Sequence, residues 1–351
     1  MKKDNNTIPI QNIYYMICYA WDILIETDKQ NKDTEQFDNI YNLLSKILID
    51  NLTVLIKRGF YKSYINYIEE LSNVRGKIDI NKTVKYNLFA KKKLVCQYDE
   101  LSTDIYLNQM INYTIKKLLK CNSLHNKYVV KLKEISNYFL EVGEKEPTKE
   151  NISKITYNKN NRHYRVIINI CILIYEGLIT KEKEGNIIFS EFIKDEKMAS
   201  LYENFVLNFY RKNLNNTAFY YPVSNKIKWD LTYETSNDVY LPEMITDIVL
   251  RKKNNESMLI IDTKFYKDAL KSKSTYSSKK LYSPNLYQIY AYINNVKNTN
   301  NVSGMLLYPT TTIDLDLSYL INNKYILIKT INLNQSWIDI EKRLLDIGTN
   351  W

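Results

Sequence analysis

The chain has 351 residues, a length that favours two domains and a core large enough to fold without disulfide bonds. Its residues are 45% hydrophobic and 25% charged, which excludes a disordered or fibrous protein. The 49 Lys and Arg residues outnumber the 39 Asp and Glu residues, and the net charge of +10 favours an anionic partner such as nucleic acid.

Apolar residues recur at helical spacing in the N-terminal part, where shorter apolar pieces between polar turns interrupt the pattern. The first pattern predicts helices over residues 10–26, 37–56, 103–119 and 126–140. The second predicts strands over residues 60–68, 75–80 and 94–98. A polar stretch ends near residue 160, so we predict a helical N-terminal domain with a small β-sheet over residues 1–160.

The C-terminal part alternates between the two patterns. Helices are predicted over residues 162–178, 198–212, 284–296 and 336–345. Strands are predicted over residues 227–233, 245–251, 258–265, 302–308 and 325–333. This order predicts an α/β fold (α+β for the whole chain), with a C-terminal domain over residues 161–351 that holds a mixed sheet flanked by helices.

Several familiar sites are excluded because their residues are scarce. The seven glycines are too dispersed for a GxGxxG or GxxxxGK phosphate loop, and the two histidines are too far apart for HExxH zinc chemistry. The four cysteines form no CxxC pair and indicate reduced, buried thiols. Neither a signal-peptide core nor an apolar run of roughly 20 residues occurs, so we expect a cytoplasmic protein with no membrane partner.

The strongest chemical signal is a pair of apolar strands that each carry a carboxylate. Asp247 lies in the first, whereas Asp262 and Lys264 lie two residues apart in the second and share one strand face. If the strands pair as a hairpin through residues 252–257, Asp247 joins the other two. Such a cluster suits Mg²⁺ and phosphodiester hydrolysis. The alternative is a surface ion pair at the ends of two strands.

Further polar residues are predicted to surround this cluster. Glu203 is a candidate third carboxylate, and Gln288 is a candidate for orienting a phosphate or a metal-bound water; each is alternatively a solvated helix residue. A basic segment follows Lys264 and suits contact with the DNA backbone, with an ordinary solvated loop as its alternative. Its candidate DNA-binding residues are Lys267, Lys271, Lys273, Lys279 and Lys280.

Two motifs of this sequence occur together in one known family. The first is the opening stretch IPIQNIYYM at residues 8–16, and the second is the Asp-x-Lys stretch IDTKFY at residues 261–266. Shorter shared stretches lie at residues 19–21, 75–79, 201–202, 246–248, 285–288 and 307–309. On these residues, and over nearly its whole length, the chain closely resembles the McrC family, the nuclease subunits of McrBC modification-dependent restriction systems.

This resemblance implies a C-terminal PD-(D/E)XK endonuclease fold in which Asp247, Asp262 and Lys264 match the catalytic positions. It implies Mg²⁺ as the cofactor, with Mn²⁺ as a substitute. The implied ligands are Asp247, Asp262 and the Thr263 backbone carbonyl, with Glu203 as an additional candidate. It further implies that the N-terminal domain docks onto a McrB-like hexameric AAA+ GTPase, stimulates GTP hydrolysis and receives double-stranded DNA. The expected activity is that of a type IV restriction endonuclease, active in the complex, that defends against foreign methylated DNA.

Two other functions stay open at this point. One is a non-catalytic assembly factor that activates an NTPase and only binds DNA, which the intact Asp247, Asp262 and Lys264 argue against. The other is a stand-alone Mg²⁺-dependent repair or junction nuclease, which would leave the N-terminal domain without a task.

Overall fold

A computed structural model describes residues 8–21, 39–184, 195–231, 240–254, 257–265, 270–271, 280–296, 301–311 and 314–351. The chain divides into two units. One unit comprises residues 38–187, and the other comprises residues 1–37 together with 188–351. The unit of residues 38–187 is therefore inserted, along the chain, after the first helix of the other unit, α1 (Ile10–Ala20).

The unit of residues 38–187 consists of helices and one small sheet. Its helices are α2 (Ile40–Arg58), α3 (Ile80–Lys85), α4 (Tyr106–Leu119), α5 (Asn126–Ser136), α6 (Lys149–Ser153) and α7 (Tyr164–Glu184). Its strands are β1 (Ser63–Leu71), β2 (Lys77–Ile78) and β3 (Leu94–Ser102). β3 lies between β1 and β2 and pairs antiparallel with both. The prediction of helices with a small β-sheet is confirmed.

Helix α2 illustrates why this unit folds as it does. The Asn39 side chain accepts a hydrogen bond from a backbone N–H in the first turn and caps the helix. One face of the helix then carries leucines three or four residues apart, so that all of them turn inward. The leucines of this face are Leu44, Leu48, Leu52 and Leu55, and all are buried. Helix α2 packs against α5 and α7.

The other unit is built on a mixed sheet. Its further helices are α8 (Asp195–Asn213), α9 (Ser283–Asn294) and α10 (Trp337–Thr349). Its strands are β4 (Lys226–Ile227), β5 (Met244–Ile245), β6 (Ile248–Arg251), β7 (Met258–Thr263), β8 (Leu270–Lys271), β9 (Lys280–Leu281), β10 (Val302–Thr310), β11 (Asp316–Ile321) and β12 (Lys324–Asn332). Five strands form the main sheet in the order β11-β12-β10-β7-β6. The predicted mixed sheet with flanking helices is confirmed.

The centre of the main sheet is parallel, because β10 runs parallel to both β7 and β12, whereas β6 and β11 are antiparallel edge strands. β7 and β10 are buried along almost their whole length, which explains their continuous apolar sequences. α9 packs on β10 through Ile289 and Ile293, which join a core with Ile260, Leu306 and Ile328. α8 contacts β7, and α10 contacts β12.

Helix α1 corrects the predicted domain boundary at residue 160. Although it lies in the predicted N-terminal domain, it packs against α8 of the sheet-containing unit. Its Asn12 side chain donates hydrogen bonds of 2.8 Å to the carbonyls of Leu333 and Gln335, and Tyr15 and Tyr19 lie against the Trp337 ring. Helix α7 lies in the predicted C-terminal domain, but it packs with α2 and α4 and belongs to the unit of residues 38–187. These partners are distant in sequence, so local spacing carries no sign of them.

Smaller differences concern the strands. The strand predicted over residues 245–251 is interrupted after Ile245 and resumes at Ile248. Of the strand predicted over residues 227–233, Ile227 belongs to β4, and residues 228–231 lie outside any strand. Edge strand β11 is absent from the predicted strands, although Leu317, Tyr319 and Ile321 alternate along it. No helix in the described ranges combines the length and hydropathy that a bilayer crossing requires.

Candidate active site

Two neighbouring strands bring the predicted acidic residues together. β6 pairs antiparallel with β7, from Ile248 opposite Ile261 to Arg251 opposite Met258, which confirms the predicted hairpin. Asp247 directly precedes the first of these pairs, and Asp262 directly follows its partner residue. The antiparallel register therefore sets the two carboxylates at one end of the hairpin.

Asp262 and Lys264 form an ion pair at the end of β7. The Lys264 Nζ atom lies 2.7 Å from Asp262 Oδ2, and the two side chains are 18% and 0% exposed. Burial raises the pKa of Asp262 to about 6; the Lys264 ammonium opposes this rise, and the neighbouring Asp247 adds to it. A single lysine therefore does not compensate the cost of burying this carboxylate, and the site favours an additional positive charge.

Asp247 is held by the backbone and side chain of Thr263. Its Oδ2 atom accepts hydrogen bonds of 2.7 Å from both the Thr263 N–H and the Thr263 hydroxyl. These two donors fix the rotation of the carboxylate relative to the strand that carries Asp262. In extended backbone the N–H and C=O of one residue face the same neighbour, so the Thr263 carbonyl is directed towards the side of the strand where Asp247 lies.

Glu203, the predicted additional carboxylate, lies on α8 and is partly buried. Burial raises its pKa to about 7, with further contributions from the negative charges of Asp247 and Asp262 and an opposing contribution from Lys264. The structure thus brings Glu203 into electrostatic range of all three residues that the hairpin assembles. Its role as a further metal ligand stays a prediction.

A divalent metal ion fits the oxygen atoms of this cluster. Asp262 is completely buried, and its Oδ1 atom accepts no hydrogen bond from the described part of the chain. A buried carboxylate oxygen without a donor is costly unless a cation or water meets it. Within the described residues, no three Asp, Glu, His or Cys side chains form a complete metal-binding group. Mg²⁺ is commonly held by one or two carboxylates and completed by water and substrate phosphate, so two carboxylates are sufficient.

Gln288 lies on α9, where its amide turns towards the protein. Its Nε2 atom donates a hydrogen bond of 2.7 Å to the Tyr292 hydroxyl, which in turn donates to the Ile245 carbonyl at 2.9 Å. Tyr292 was not among the predicted site residues, because its spacing in the sequence is that of an ordinary core residue. Burial raises its pKa, the hydrogen bond from Gln288 opposes this rise, and the charges of Asp262 and Asp247 add to it.

The predicted DNA-binding lysines are only partly described. Lys267, Lys273 and Lys279 lie outside the described residues. Lys271 belongs to β8 and pairs with Lys280 of β9, whose side chain is exposed. The base of the basic segment is therefore a short antiparallel ribbon, and the DNA-binding role of its lysines stays a prediction.

Comparison with known proteins identifies the family. Residues 2–309 match the family described as McrBC 5-methylcytosine restriction system component. The chain belongs to the McrBC family. Its similarity to the Type IV methyl-directed restriction enzyme EcoKMcrBC of Escherichia coli (strain K12) reaches 31% identity over 347 residues and covers 97% of each chain. The resemblance found in the opening stretch and the Asp-x-Lys motif is thereby confirmed, and the chain is a component of a restriction system.

A solved structure has a fold similar to that of the present chain. It is the half-complex of Thermococcus gammatolerans McrB AAA+ hexamers with bound McrC, with a TM-score of 0.51 and 16% sequence identity. The match covers 97% of the present chain and 75% of the other. The similarity in fold therefore extends across both units.

Proposed function

We propose that this chain is the DNA-cleaving subunit of a McrBC-type restriction system and hydrolyses phosphodiester bonds with Mg²⁺. The observation that carries the proposal is the buried Asp262 carboxylate, which is paired with Lys264 and faces Asp247 across a hairpin, and whose Oδ1 atom has no donor among the described residues. Two carboxylates followed by a lysine at the end of a β-hairpin match the PD-(D/E)XK pattern. Membership of a restriction-system family supports the same substrate class.

Mg²⁺ would be held by Asp247, Asp262 and the Thr263 carbonyl, with Mn²⁺ as a substitute and Glu203 adding negative charge. When bound, the ion supplies Lewis-acid stabilisation of charge on a phosphoryl oxygen. The Thr263 N–H and hydroxyl keep Asp247 oriented. Lys264, whose ammonium lies 2.7 Å from Asp262, would position an attacking water or stabilise charge on the phosphate.

We further propose that the protein works in the cytoplasm with a McrB-like hexameric AAA+ GTPase, which delivers double-stranded DNA and whose GTP hydrolysis it stimulates. Two observations support this. The E. coli relative is a methyl-directed restriction enzyme, and the T. gammatolerans structure contains McrB AAA+ hexamers with bound McrC. Recognition of a modified base would then belong to the partner, while cleavage belongs to this chain.

The unit of residues 38–187 offers a surface for this partner. On the small sheet, Tyr64 pairs across the strands with Leu101, and Ile68 lies four residues further along the same face. These three side chains are 72%, 50% and 52% exposed, respectively. Exposed apolar residues on one face of a sheet, such as the cross-strand neighbours Tyr64 and Leu101, are a feature of protein interaction sites. We expect Ile68→Asp to weaken assembly with the GTPase, whereas Val130→Asp, a matched change at an exposed residue of α5 in the same unit, leaves assembly intact.

The decisive experiment measures cleavage of methylated and unmethylated plasmid with Mg²⁺, in the presence and absence of the co-encoded AAA+ partner and GTP. We expect cleavage only with partner, GTP and intact Asp262. Asp262→Asn is expected to abolish cleavage but to preserve assembly and GTPase stimulation. Cleavage without partner or nucleotide would favour a stand-alone nuclease. Stimulation of GTP hydrolysis without cleavage under any condition would favour an assembly factor.

A further inference from the structure

The residues around Asp247 leave regular β-structure. β5 ends at Ile245 and β6 begins at Ile248, so Thr246 and Asp247 fall in the break between the two strands. Interruptions of a strand bend it and change the direction of a side chain. The direction of Asp247 therefore depends on the groups that hold residues 245–247.

One side of this break is held by a neighbouring segment. The Thr246 N–H donates a hydrogen bond of 2.9 Å to the Asn225 carbonyl, and the Asn225 N–H donates to the Thr246 hydroxyl at 3.0 Å. The Ser224 hydroxyl donates to the Thr246 carbonyl at 2.6 Å. Thr246 is completely buried, so these bonds are shielded from competition with solvent. The segment of residues 224–225 thus fixes Thr246.

The other contact comes from α9. The Tyr292 hydroxyl donates to the Ile245 carbonyl at 2.9 Å and accepts from Gln288 Nε2 at 2.7 Å. Tyr292 is 6% exposed. The acceptor of its hydrogen bond, Ile245, lies two positions before Asp247. Because Gln288 occupies the acceptor side of the hydroxyl, it directs the hydroxyl proton towards Ile245.

The position of α9 is in turn fixed by close packing on the sheet. A Cβ atom added to Gly304 of β10 would lie 2.6 Å from Ile289 Cγ1 and 3.0 Å from Ile293 Cγ2. The helix therefore approaches β10 more closely than any residue with a side chain at position 304 would permit. Ile289 directly follows Gln288, and Ile293 directly follows Tyr292. The packing of the two isoleucines on Gly304 therefore also sets how close Gln288 and Tyr292 lie to the sheet.

From this chain of contacts we infer that Tyr292 is a positioning residue for metal binding at Asp247. Its hydroxyl, oriented by Gln288, anchors the interrupted strand from the helix side and keeps Asp247 in the direction needed to hold a divalent cation. The inference rests on the proposed function and deepens it. It also gives Gln288 a role inside the protein, as the donor that orients Tyr292.

The test compares Tyr292→Phe with Tyr290→Phe. Both variants lose one hydroxyl from α9, but the Tyr290 hydroxyl accepts a hydrogen bond from Asn322 Nδ2 at 2.6 Å, whereas the Tyr292 hydroxyl donates to Ile245. Binding of Mn²⁺ to the full-length protein is measured by electron paramagnetic resonance without DNA. The Mg²⁺ concentration for half-maximal cleavage is then measured in the assembled complex with GTP.

Loss of an outer residue that orients a metal ligand typically weakens binding roughly 10- to 100-fold. We expect Tyr292→Phe to weaken Mn²⁺ binding and to raise the half-maximal Mg²⁺ concentration within that range, with cleavage recovering at high Mg²⁺. Tyr290→Phe is expected to match the wild type. Gln288→Leu, which removes only the donor to the hydroxyl, is expected to shift both measurements in the same direction, and it replaces Tyr292→Phe if that variant does not fold.

The outcomes separate this inference from the function on which it rests. Wild-type affinity for Mn²⁺ in both Tyr292→Phe and Gln288→Leu would overturn the positioning role alone. Equal weakening by Tyr290→Phe would also overturn it, because the loss would then follow from a general disturbance of α9. A wild-type protein that neither binds Mn²⁺ nor cleaves DNA in the complex would overturn the proposed function and this inference together.

Discussion

In the absence of metal, we expect Asp262→Asn to stabilise the protein at pH 8. Asp262 is completely buried, and burial raises its pKa from 3.8 to about 6 even though Lys264 is its neighbour. At about 1.4 kcal/mol per pH unit, the difference between these values corresponds to about 3 kcal/mol in favour of the protonated form. Asparagine keeps the shape of the side chain and removes its charge, so it avoids most of this cost.

The sign of the effect follows from the raised pKa. The folded wild type binds the Asp262 proton more tightly than the unfolded chain does, so its free energy of unfolding decreases as the pH rises from about 4 to about 6. The asparagine variant lacks this titration. The two proteins should therefore be equally stable at about pH 3, below both pKa values, and differ by about 3 kcal/mol at pH 8.

Urea denaturation in the presence of a chelator, at a series of pH values, measures this difference. Added Mg²⁺ is expected to stabilise the wild type and leave Asp262→Asn unchanged, because binding to the folded state alone stabilises it. The matched control is Asp230→Asn, in which an exposed carboxyl loses its charge. A variant less stable than the wild type at pH 8, or a difference that does not change with pH, would refute the reasoning.

Further predictions concern packing, anchoring and DNA contact. Gly304→Ala is expected to lower the free energy of unfolding by about 1–3 kcal/mol in urea, because its Cβ would lie 2.6 Å from Ile289; unchanged stability would show that α9 shifts freely. Asn12→Ala removes the two hydrogen bonds of a buried side-chain amide and should cost about 1–3 kcal/mol, measured in the same way; no loss would exclude Asn12 as the anchor of α1. Charge reversal at Lys271 and Lys273 should weaken DNA binding and flatten its salt dependence, and an unchanged salt slope would remove this segment from the DNA path.

The elements of the fold were largely predictable because each produces a local pattern. The leucine face of α2 and the continuous apolar runs of β7 and β10 report burial directly in the sequence. The sequence prediction did not include β11. It is a short edge strand held through its pairing with β12, and its apolar residues Leu317 and Ile321 are only partly buried.

The candidate site was predictable to the extent that it lies on one hairpin. Asp262 and Lys264 are two residues apart, and the segment between β6 and β7 is short enough to make antiparallel pairing the simplest arrangement. Glu203 and Gln288 were identified as neighbours from their order along the chain. Their orientation was not predictable, because the direction of Gln288 depends on Tyr292, which resembles a core residue in the sequence.

By itself the sequence determined the class of the protein, the mixed C-terminal sheet, the acidic hairpin and the family resemblance, because each is written in residues close together in the chain. Only the tertiary structure decided that α1 completes the sheet-containing unit and that α7 belongs to the other. It alone also revealed the hydrogen bonds that hold the strand before Asp247, from Tyr292 to Ile245 and from Asn225 to Thr246. These features depend on hydrogen bonds and packing between residues separated by tens to hundreds of positions, and such contacts leave no periodic trace in a single sequence.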